Sequence, residues 1–106
     1  MIPSIEELKG QCKIDLDDNS EDSLLTLYGT AAKEKAEKFL NMQLFDSEVP
    51  DDVDNGMVIN ASVKLAIMLA VGHWYENRED STELNLSAIP LGFNSLLRDY
   101  RRGPGT

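Results

Sequence analysis

The chain has 106 residues, a length that suits one domain with a modest core. Its 19 acidic and 10 basic residues give a formal net charge of −9. This charge excludes general affinity for nucleic-acid phosphates or for an anionic membrane surface, because both require clustered Lys and Arg. Hydrophobic residues make up 42% of the sequence, so we expect a folded globular chain.

The acidic residues are concentrated in the first half of the chain. Residues 1–55 hold fourteen acidic and five basic side chains, whereas residues 56–106 hold five of each. Such an asymmetry is typical of a polar surface used in assembly, and equally of a solvated acidic face that aids solubility. The sequence leaves both interpretations open.

Cys12 is the single cysteine, so we expect neither an intramolecular disulfide nor a thiolate metal site. The first residues lack the basic and apolar regions of a secretion signal. The most apolar stretch, residues 61–72, is interrupted by Lys64 and is shorter than the roughly 20 residues of a membrane span. We therefore expect a soluble protein of a reducing compartment.

The first predicted element is a short helix from Ser4 to about Cys12. Ser4 and Glu7 have the Ser-x-x-Glu spacing of a capping box, in which each side chain accepts a hydrogen bond from the other residue's backbone N–H. The polar and apolar residues that follow alternate over too few positions for a sheet. They predict an extended linker that buries Ile14 and Leu16 against the core.

A long amphipathic helix is predicted next, beginning between Asp18 and Ser20 and ending near Met42. Its apolar residues recur at helical spacing: Leu24, Leu27, Tyr28, Ala31, Ala32, Ala36, Phe39 and Leu40. Residues 43–54 are interpreted as an acidic loop, because they contain Pro50 and five carboxylates.

A third helix is predicted from about Asn55 to Glu79. It has little polar face between residues 61 and 75, and a helix that is apolar nearly all round must be covered nearly all round. With only one other long helix in the chain, a second subunit could supply part of that cover.

The last predicted elements are a loop over residues 80–90 and a short helix from about Asn94 to Tyr100. The Pro-Leu-Gly at residues 90–92 sets a turn between them. The fold class that follows is all-α: a small bundle of about four helices, two long and two short, with an extended loop between the last two. Residues 1–102 are predicted to form one domain, and residues 103–106 a disordered tail.

No constellation in the sequence predicts catalysis, a cofactor or a metal ion. The Asp15-x-Asp17-x-Asn19 spacing suggests a calcium loop, but Ser20 and Thr26 stand where such a loop needs Gly and a bidentate Glu. The chain is therefore predicted not to be an enzyme.

Two further groups of residues could suggest catalysis, but each has a structural interpretation. His73 is the sole histidine, and no nucleophile elbow surrounds any serine, so it is interpreted as a packed helix residue. Glu76 and Glu79 lie three residues apart, but paired carboxylates act in catalysis only in a cleft that shifts their pKa values. We interpret them as part of a salt-bridged helix end.

Several segments, in this order, resemble one protein family. They are the Ile-Asp-Leu-Asp-Asp linker at residues 14–18, the Glu-Asp at residues 21–22 before an Ala-rich helix, the His-Trp-Tyr-Glu-Asn-Arg-Glu helix end at residues 73–79, and the Pro-Leu-Gly-Phe turn at residues 90–93. Over residues 3–102 the chain resembles the small head–tail connector (head-completion or adaptor) proteins of tailed bacteriophages and prophages. It departs from them at residues 41–43, where Gly is expected, and at residues 53–56, where relatives are richer in Pro.

The resemblance implies a virion protein without catalytic activity, which assembles in the host cytoplasm. Its copies would form a ring, typically of about twelve subunits, by side-to-side contacts that close by rotation. The ring would lie beneath the portal protein, extend the DNA channel, help to retain packaged DNA and dock the next neck or tail protein. Double-stranded DNA would pass through without specific binding.

Under this resemblance we assign three groups of residues. The predicted subunit interface contains Leu84, Leu86, Ile89, Tyr75 and Arg78. The predicted channel-lining acids are Asp15, Asp17, Asp18, Asp51 and Asp52, which would let DNA slide because like charges oppose phosphate binding. The predicted partner-docking basic tip consists of Arg98, Arg101 and Arg102.

The main alternative is a small helical protein-binding or regulatory module that acts as a monomer or dimer. A helix-turn-helix DNA-binding protein fits less well, because its recognition helix should be basic and neither long helix is.

Overall fold

The computed structural model describes residues 2–77 and 90–101, and within them the chain is mainly helical. Its helices are α1 (Ile5–Gln11), α2 (Asp22–Leu40), α3 (Ala61–Glu76) and α4 (Leu91–Leu97), and a 3₁₀ turn (Arg98–Tyr100) follows α4. Two strands of three residues each, β1 (Gln43–Phe45) and β2 (Gly56–Val58), lie between α2 and α3. The predicted bundle of two long and two short helices is confirmed, and the strand pair is an addition to it.

The N-terminus of α1 has the predicted capping box. Glu7 N–H donates to Ser4 Oγ over 3.1 Å, and Ser4 N–H donates to Glu7 Oε1 over 2.9 Å. The Glu7 carboxylate also forms a hydrogen-bonded ion pair with Lys64 of α3. This pair, and the bond from Ser4, hold the pKa of Glu7 below its usual value. One carboxylate therefore caps α1 and joins it to α3.

The core lies between α2 and α3. Both helices present fully buried alanines, which let two helices approach closely: Ala32, Ala36, Ala66 and Ala70. Tyr28 of α2 meets Trp74 of α3 edge to face, with ring centroids 5.8 Å apart. Phe93 and Leu97 of α4 are also buried in this core. The chain thus covers most of α3 itself, but Leu65 of α3 remains 46% exposed.

Helix α3 begins at Ala61, so the predicted start at Asn55 is wrong. Residues Gly56–Val58 pair in parallel with Gln43–Phe45 instead, which also corrects the predicted loop over residues 43–54. Asn60 then caps α3, because its Oδ1 accepts a 2.9 Å bond from Val63 N–H. The last residue of α3 is Glu76.

The strand pair is set up by the end of α2. Asn41 has φ 58° and ends that helix in the left-handed conformation. Leu44 N–H then donates to a Glu37 carboxylate oxygen over 2.8 Å. A 2.8 Å bond from Gln43 N–H to the Asn55 carbonyl brings the second strand alongside.

Gly56 is required by close packing in this region. A Cβ at that position would lie 2.9 Å from Phe45 Cε2, 3.0 Å from Val49 Cγ1 and 3.1 Å from Val53 Cγ1. The three side chains thus pack directly on the glycine backbone, and they link β1 and the acidic loop to β2.

The linker before α2 is held by a buried lysine that the sequence did not predict. Lys9 is 3% exposed, and its Nζ donates to the Leu16 carbonyl over 3.1 Å and to Asn19 Oδ1 over 2.9 Å. It also forms an ion pair with Asp22 at 3.1 Å. Ile14 packs on the core as predicted. The prediction for Leu16 is wrong, because Lys9 binds its carbonyl and leaves the side chain 64% exposed.

The two remaining helix starts also differ from prediction. Helix α2 begins at Asp22, two residues or more later than predicted, because the Asp18 carboxylate accepts bonds from Ser20 N–H (3.0 Å) and Oγ (2.6 Å) and forms a turn there. Helix α4 begins at Leu91, three residues earlier than predicted, with Pro90 as its N-cap. Two predicted segments lie outside the described residues: the loop over residues 80–90, apart from Pro90, and the tail at residues 103–106. No helix in the described ranges has the length and apolarity to cross a membrane.

Replacement of Gly56 by alanine should destabilise the protein by about 1–3 kcal/mol, because Phe45, Val49 or Val53 must move to admit the new methyl group. Urea denaturation measures the free energy of unfolding. Gly10→Ala is the control, since a Cβ there meets nothing within 4 Å. It should be neutral or stabilising by up to about 1 kcal/mol. Equal effects of the two variants would contradict the packing assigned to Gly56.

Replacement of Lys9 by methionine should cost about 2 kcal/mol of stability, because it leaves the Asp22 carboxylate and the Asn19 amide oxygen without their cation. Amide hydrogen exchange should also accelerate in residues 14–20. Lys38→Met, at an exposed position of α2, should change stability by less than about 0.5 kcal/mol. Unchanged exchange in the linker of the Lys9 variant would show that Lys9 does not hold it.

Candidate functional site

The predicted channel-lining acids are exposed, but they form two groups. Asp15, Asp17 and Asp18 belong to the linker that Lys9 holds against the N-terminus of α2. Asp51 and Asp52 belong to the loop between β1 and β2, which lies beside the C-terminus of α2. The two groups are therefore separated by the length of α2, about 27 Å at 1.5 Å per residue.

Within the linker group, Asp18 has a structural role as well as a charge. The Ser20 hydroxyl and the Ser20 backbone N–H both donate to its carboxylate, and they lower the pKa of Asp18. This side chain therefore stays ionised to lower pH than a free aspartate does, and it keeps its negative charge in the turn that leads into α2.

An acidic cleft that the sequence did not predict lies at the C-terminal end of α2. It is open, has a volume of about 630 Å³, and is lined by four carboxylates and one ammonium group: Glu34, Glu37, Asp52, Asp54 and Lys38. Glu37 also accepts the Leu44 N–H, and Asn55 Nδ2 donates to the Asn41 carbonyl over 2.9 Å at the edge of the cleft. In the sequence, Glu34 and Glu37 belong to the predicted polar face of the second helix. The loop residues that complete the cleft, Asp52 and Asp54, are distant along the chain, so the sequence pattern does not indicate a cleft.

The predicted basic tip lies at the same end of α2. Arg98 is exposed. Arg101 Nε donates to the Phe39 carbonyl over 3.1 Å, and the guanidinium carbon lies 5.4 Å from the centre of the Phe39 ring. Arg101 thus fixes the end of the described chain to α2, while Arg102 lies outside the described residues.

Only one of the predicted interface residues can be placed. Tyr75 is half-buried near the end of α3 and packs against the core. Arg78, Leu84, Leu86 and Ile89 lie outside the described residues.

A shallow apolar groove, also not predicted from the sequence, lies between α1 and α2. Its volume is about 280 Å³, and its lining includes Ile2, Ile5, Leu8 and Ile67, with threonines and Lys33 of α2 at its edge. A groove with this lining can accept an aliphatic side chain.

The described residues offer little for chemistry. His73 is half-buried in α3, and its backbone carbonyl accepts a 2.8 Å bond from the Asn77 amide. Glu76 is exposed at the helix end. Within residues 2–77 and 90–101, no group of three His, Cys, Asp or Glu side chains is placed to hold a metal ion.

Comparison with known proteins gives a family. Neither the curated proteins nor the solved structures contain a significant match to the chain. Residues 2–101, however, match the family model described as phage gp6-like head-tail connector protein. The match extends from before α1 to the residue after the 3₁₀ turn, so it includes every element described above. It confirms the resemblance seen in the sequence, and the chain belongs to the phage gp6-like head-tail connector family, whose members are structural proteins.

Proposed function

We propose that the protein is a subunit of a ring that lies beneath the portal at the head–tail junction of a phage or prophage particle. The ring extends the DNA channel, helps to retain packaged DNA and docks the next neck or tail protein. The observation that supports this proposal is the family match over residues 2–101. The protein acts without catalysis or a cofactor, joins the virion, and assembles in the host cytoplasm with the portal and the neck protein as its partners.

The channel-lining acids act by repulsion. Asp15, Asp17, Asp18, Asp51 and Asp52 are all exposed, and carboxylates along a channel wall keep DNA phosphates from binding. Since the two groups lie at opposite ends of α2, both can face the channel only if α2 runs along its wall.

The basic tip is the proposed docking site for a protein partner. Arg98 is exposed, and the Arg101 contact with Phe39 holds its backbone at the C-terminal end of α2. The net charge of −9 favours an acidic protein surface over DNA as the partner. We propose that Arg102 contributes to the same tip, and that Leu84, Leu86 and Ile89, with Tyr75 and Arg78, contribute to subunit contacts.

The ring proposal predicts a large, closed oligomer. Native mass spectrometry of the purified protein, alone and with the purified portal of the same phage, should detect a ring of about twelve copies in at least one of the two samples. Negative-stain images should show a central channel. A dimer that persists unchanged in the presence of portal would contradict the ring and favour a regulatory or protein-binding module.

Neutralisation of the channel-lining acids should slow DNA passage. The variant with all five changed from Asp to Asn loses the repulsion of phosphates, so triggered DNA release from particles that contain it should be several-fold slower. The difference from wild type should shrink at high salt, because salt screens charges.

The matched control neutralises three exposed acids outside both groups, Glu6 and Glu76 to Gln and Asp99 to Asn, and is compared with a variant that changes only Asp15, Asp17 and Asp51 to Asn, so that the change in net charge is the same. It should release DNA at the wild-type rate. If the two variants behave alike, the effect belongs to net charge, and the proposed position of the five acids in the channel is wrong.

A further inference from the structure

Two surfaces of the described chain combine exposed leucines with an absence of charge. The first, which we name the α2 face, is the outer side of α2 around Leu27 and includes Ser23, Thr26 and Thr30. The second, the α3 face, is the outer side of α3 around Leu65 and includes Val58 and Ala61. Leu27 is 61% exposed, Leu65 is 46% exposed and Val58 is 38% exposed. Apolar area left in water is unfavourable, so covering both faces would stabilise an assembly.

The absence of charge on these faces is unusual for this chain. Residues 23–32, which include the α2 face, contain no acidic or basic side chain, and neither do residues 55–63. From residue 61 to residue 72 the single charged side chain is Lys64, and Glu7 of α1 neutralises it in an ion pair. The chain as a whole carries a charge of −9. Two copies repel each other across most of their surfaces, and they approach at least cost where neither is charged.

The two faces point in opposite directions. At 100° per residue, Leu27 lies about 160° around α2 from the mean direction of the buried side chains of that helix. Leu65 lies about 170° around α3 from the mean direction of its own buried side chains. Since α2 and α3 pack on each other through those buried sides, with Tyr28 against Trp74, the α2 and α3 faces lie on opposite sides of the helix pair.

The faces also differ in shape. Thr26 and Thr30 of the α2 face form one edge of the apolar groove between α1 and α2, whose lining includes Ile5 and Ile67. The α2 face is therefore continuous with a concave apolar surface. On the α3 face, by contrast, the Leu65 side chain is 46% exposed on the helix surface.

We propose, on the basis of the ring proposed above, that the α3 face of each copy packs on the α2 face of the next copy, with Leu65 directed into the groove between α1 and α2. Two unlike faces on opposite sides of one molecule generate a heterologous contact, and such a contact repeats around a ring. The occupant of the α2 face is thus a second copy of this chain. Lys33, at the edge of the groove, is the one charged side chain of its lining, and none of the acids at the two ends of α2 belongs to either face.

The test uses two single substitutions that place a charge at the centre of each face. Leu27→Asp should disable the α2 face and Leu65→Asp the α3 face, and each should weaken self-association at least about tenfold in sedimentation velocity. Leu16→Asp is the matched control, because Leu16 is 64% exposed but belongs to neither face. It adds the same charge and should associate as the wild type does. Circular dichroism should show that all three variants are folded.

A mixture of the two disabled variants distinguishes unlike faces from a symmetric contact. The Leu27→Asp variant keeps an intact α3 face, and the Leu65→Asp variant keeps an intact α2 face. An equimolar mixture should therefore form heterodimers that grow no further. If one of the two variants is isotope-labelled, native mass spectrometry of the mixture identifies the heterodimers by their mass. Mixtures without heterodimers, or an equal defect in Leu16→Asp, would overturn the proposal.

The same samples with added portal separate failure of this proposal from failure of the proposed function. If wild type forms a ring and both variants do so equally well, the α2 and α3 faces are not the contact, whereas the connector role stands. An additional variant, Leu86→Asp, tests the other proposed interface. If only this variant fails to form the ring, the contact belongs to residues 84–89. If wild type neither associates with itself up to millimolar concentration nor joins the portal, the ring function and this proposal both fail.

Discussion

The packing of α2 against α3 is the contact on which the rest of the structure depends. Buried alanines on both helices allow a close approach, and Tyr28 and Trp74 complete the contact with an edge-to-face pair. Helices α1 and α4 and strand β1 each contact one or both of these two helices, and β2 pairs with β1. Polar contacts secure α1 to α3 through Glu7, the linker to α2 through Lys9, and the end of the 3₁₀ turn to α2 through Arg101. A small chain thus positions several surface loops on one rigid helix pair.

The elements that depend on local patterns could be predicted from the sequence. The capping box at Ser4 and Glu7, the amphipathic period of α2 and the apolar run of α3 each lie within one segment, so spacing alone predicts them. The strand pair was missed, because three-residue strands carry almost no period and their pairing depends on Gly56 meeting Phe45, eleven residues earlier. The early start predicted for α3 has the same cause, since its supposed first turn is β2.

For the candidate surfaces, too, the sequence predicts the features that follow from residue type and misses those that depend on contacts between distant residues. That the predicted channel-lining acids are exposed follows from residue type, and the structure agrees. Their separation into two groups does not follow from the sequence, because it depends on Lys9 binding the Leu16 carbonyl and Asp22. Lys9 itself reads as an ordinary surface lysine on a short helix. A buried ammonium is recognisable only once the acceptors that surround it are known.

The parallel pairing of β1 with β2 has a consequence for how this protein can vary. The acidic loop of residues 46–55 leaves the strand pair after Phe45 and returns beside the start of β1, where Gln43 N–H donates to the Asn55 carbonyl, so it crosses over the length of the short strand pair. With both ends fixed on the strand pair, doubling the length of a flexible loop costs only about 0.6 kcal/mol of closure entropy. Evolution can therefore lengthen, shorten or recharge this loop to suit a different neighbour, while α2 and α3 keep their arrangement.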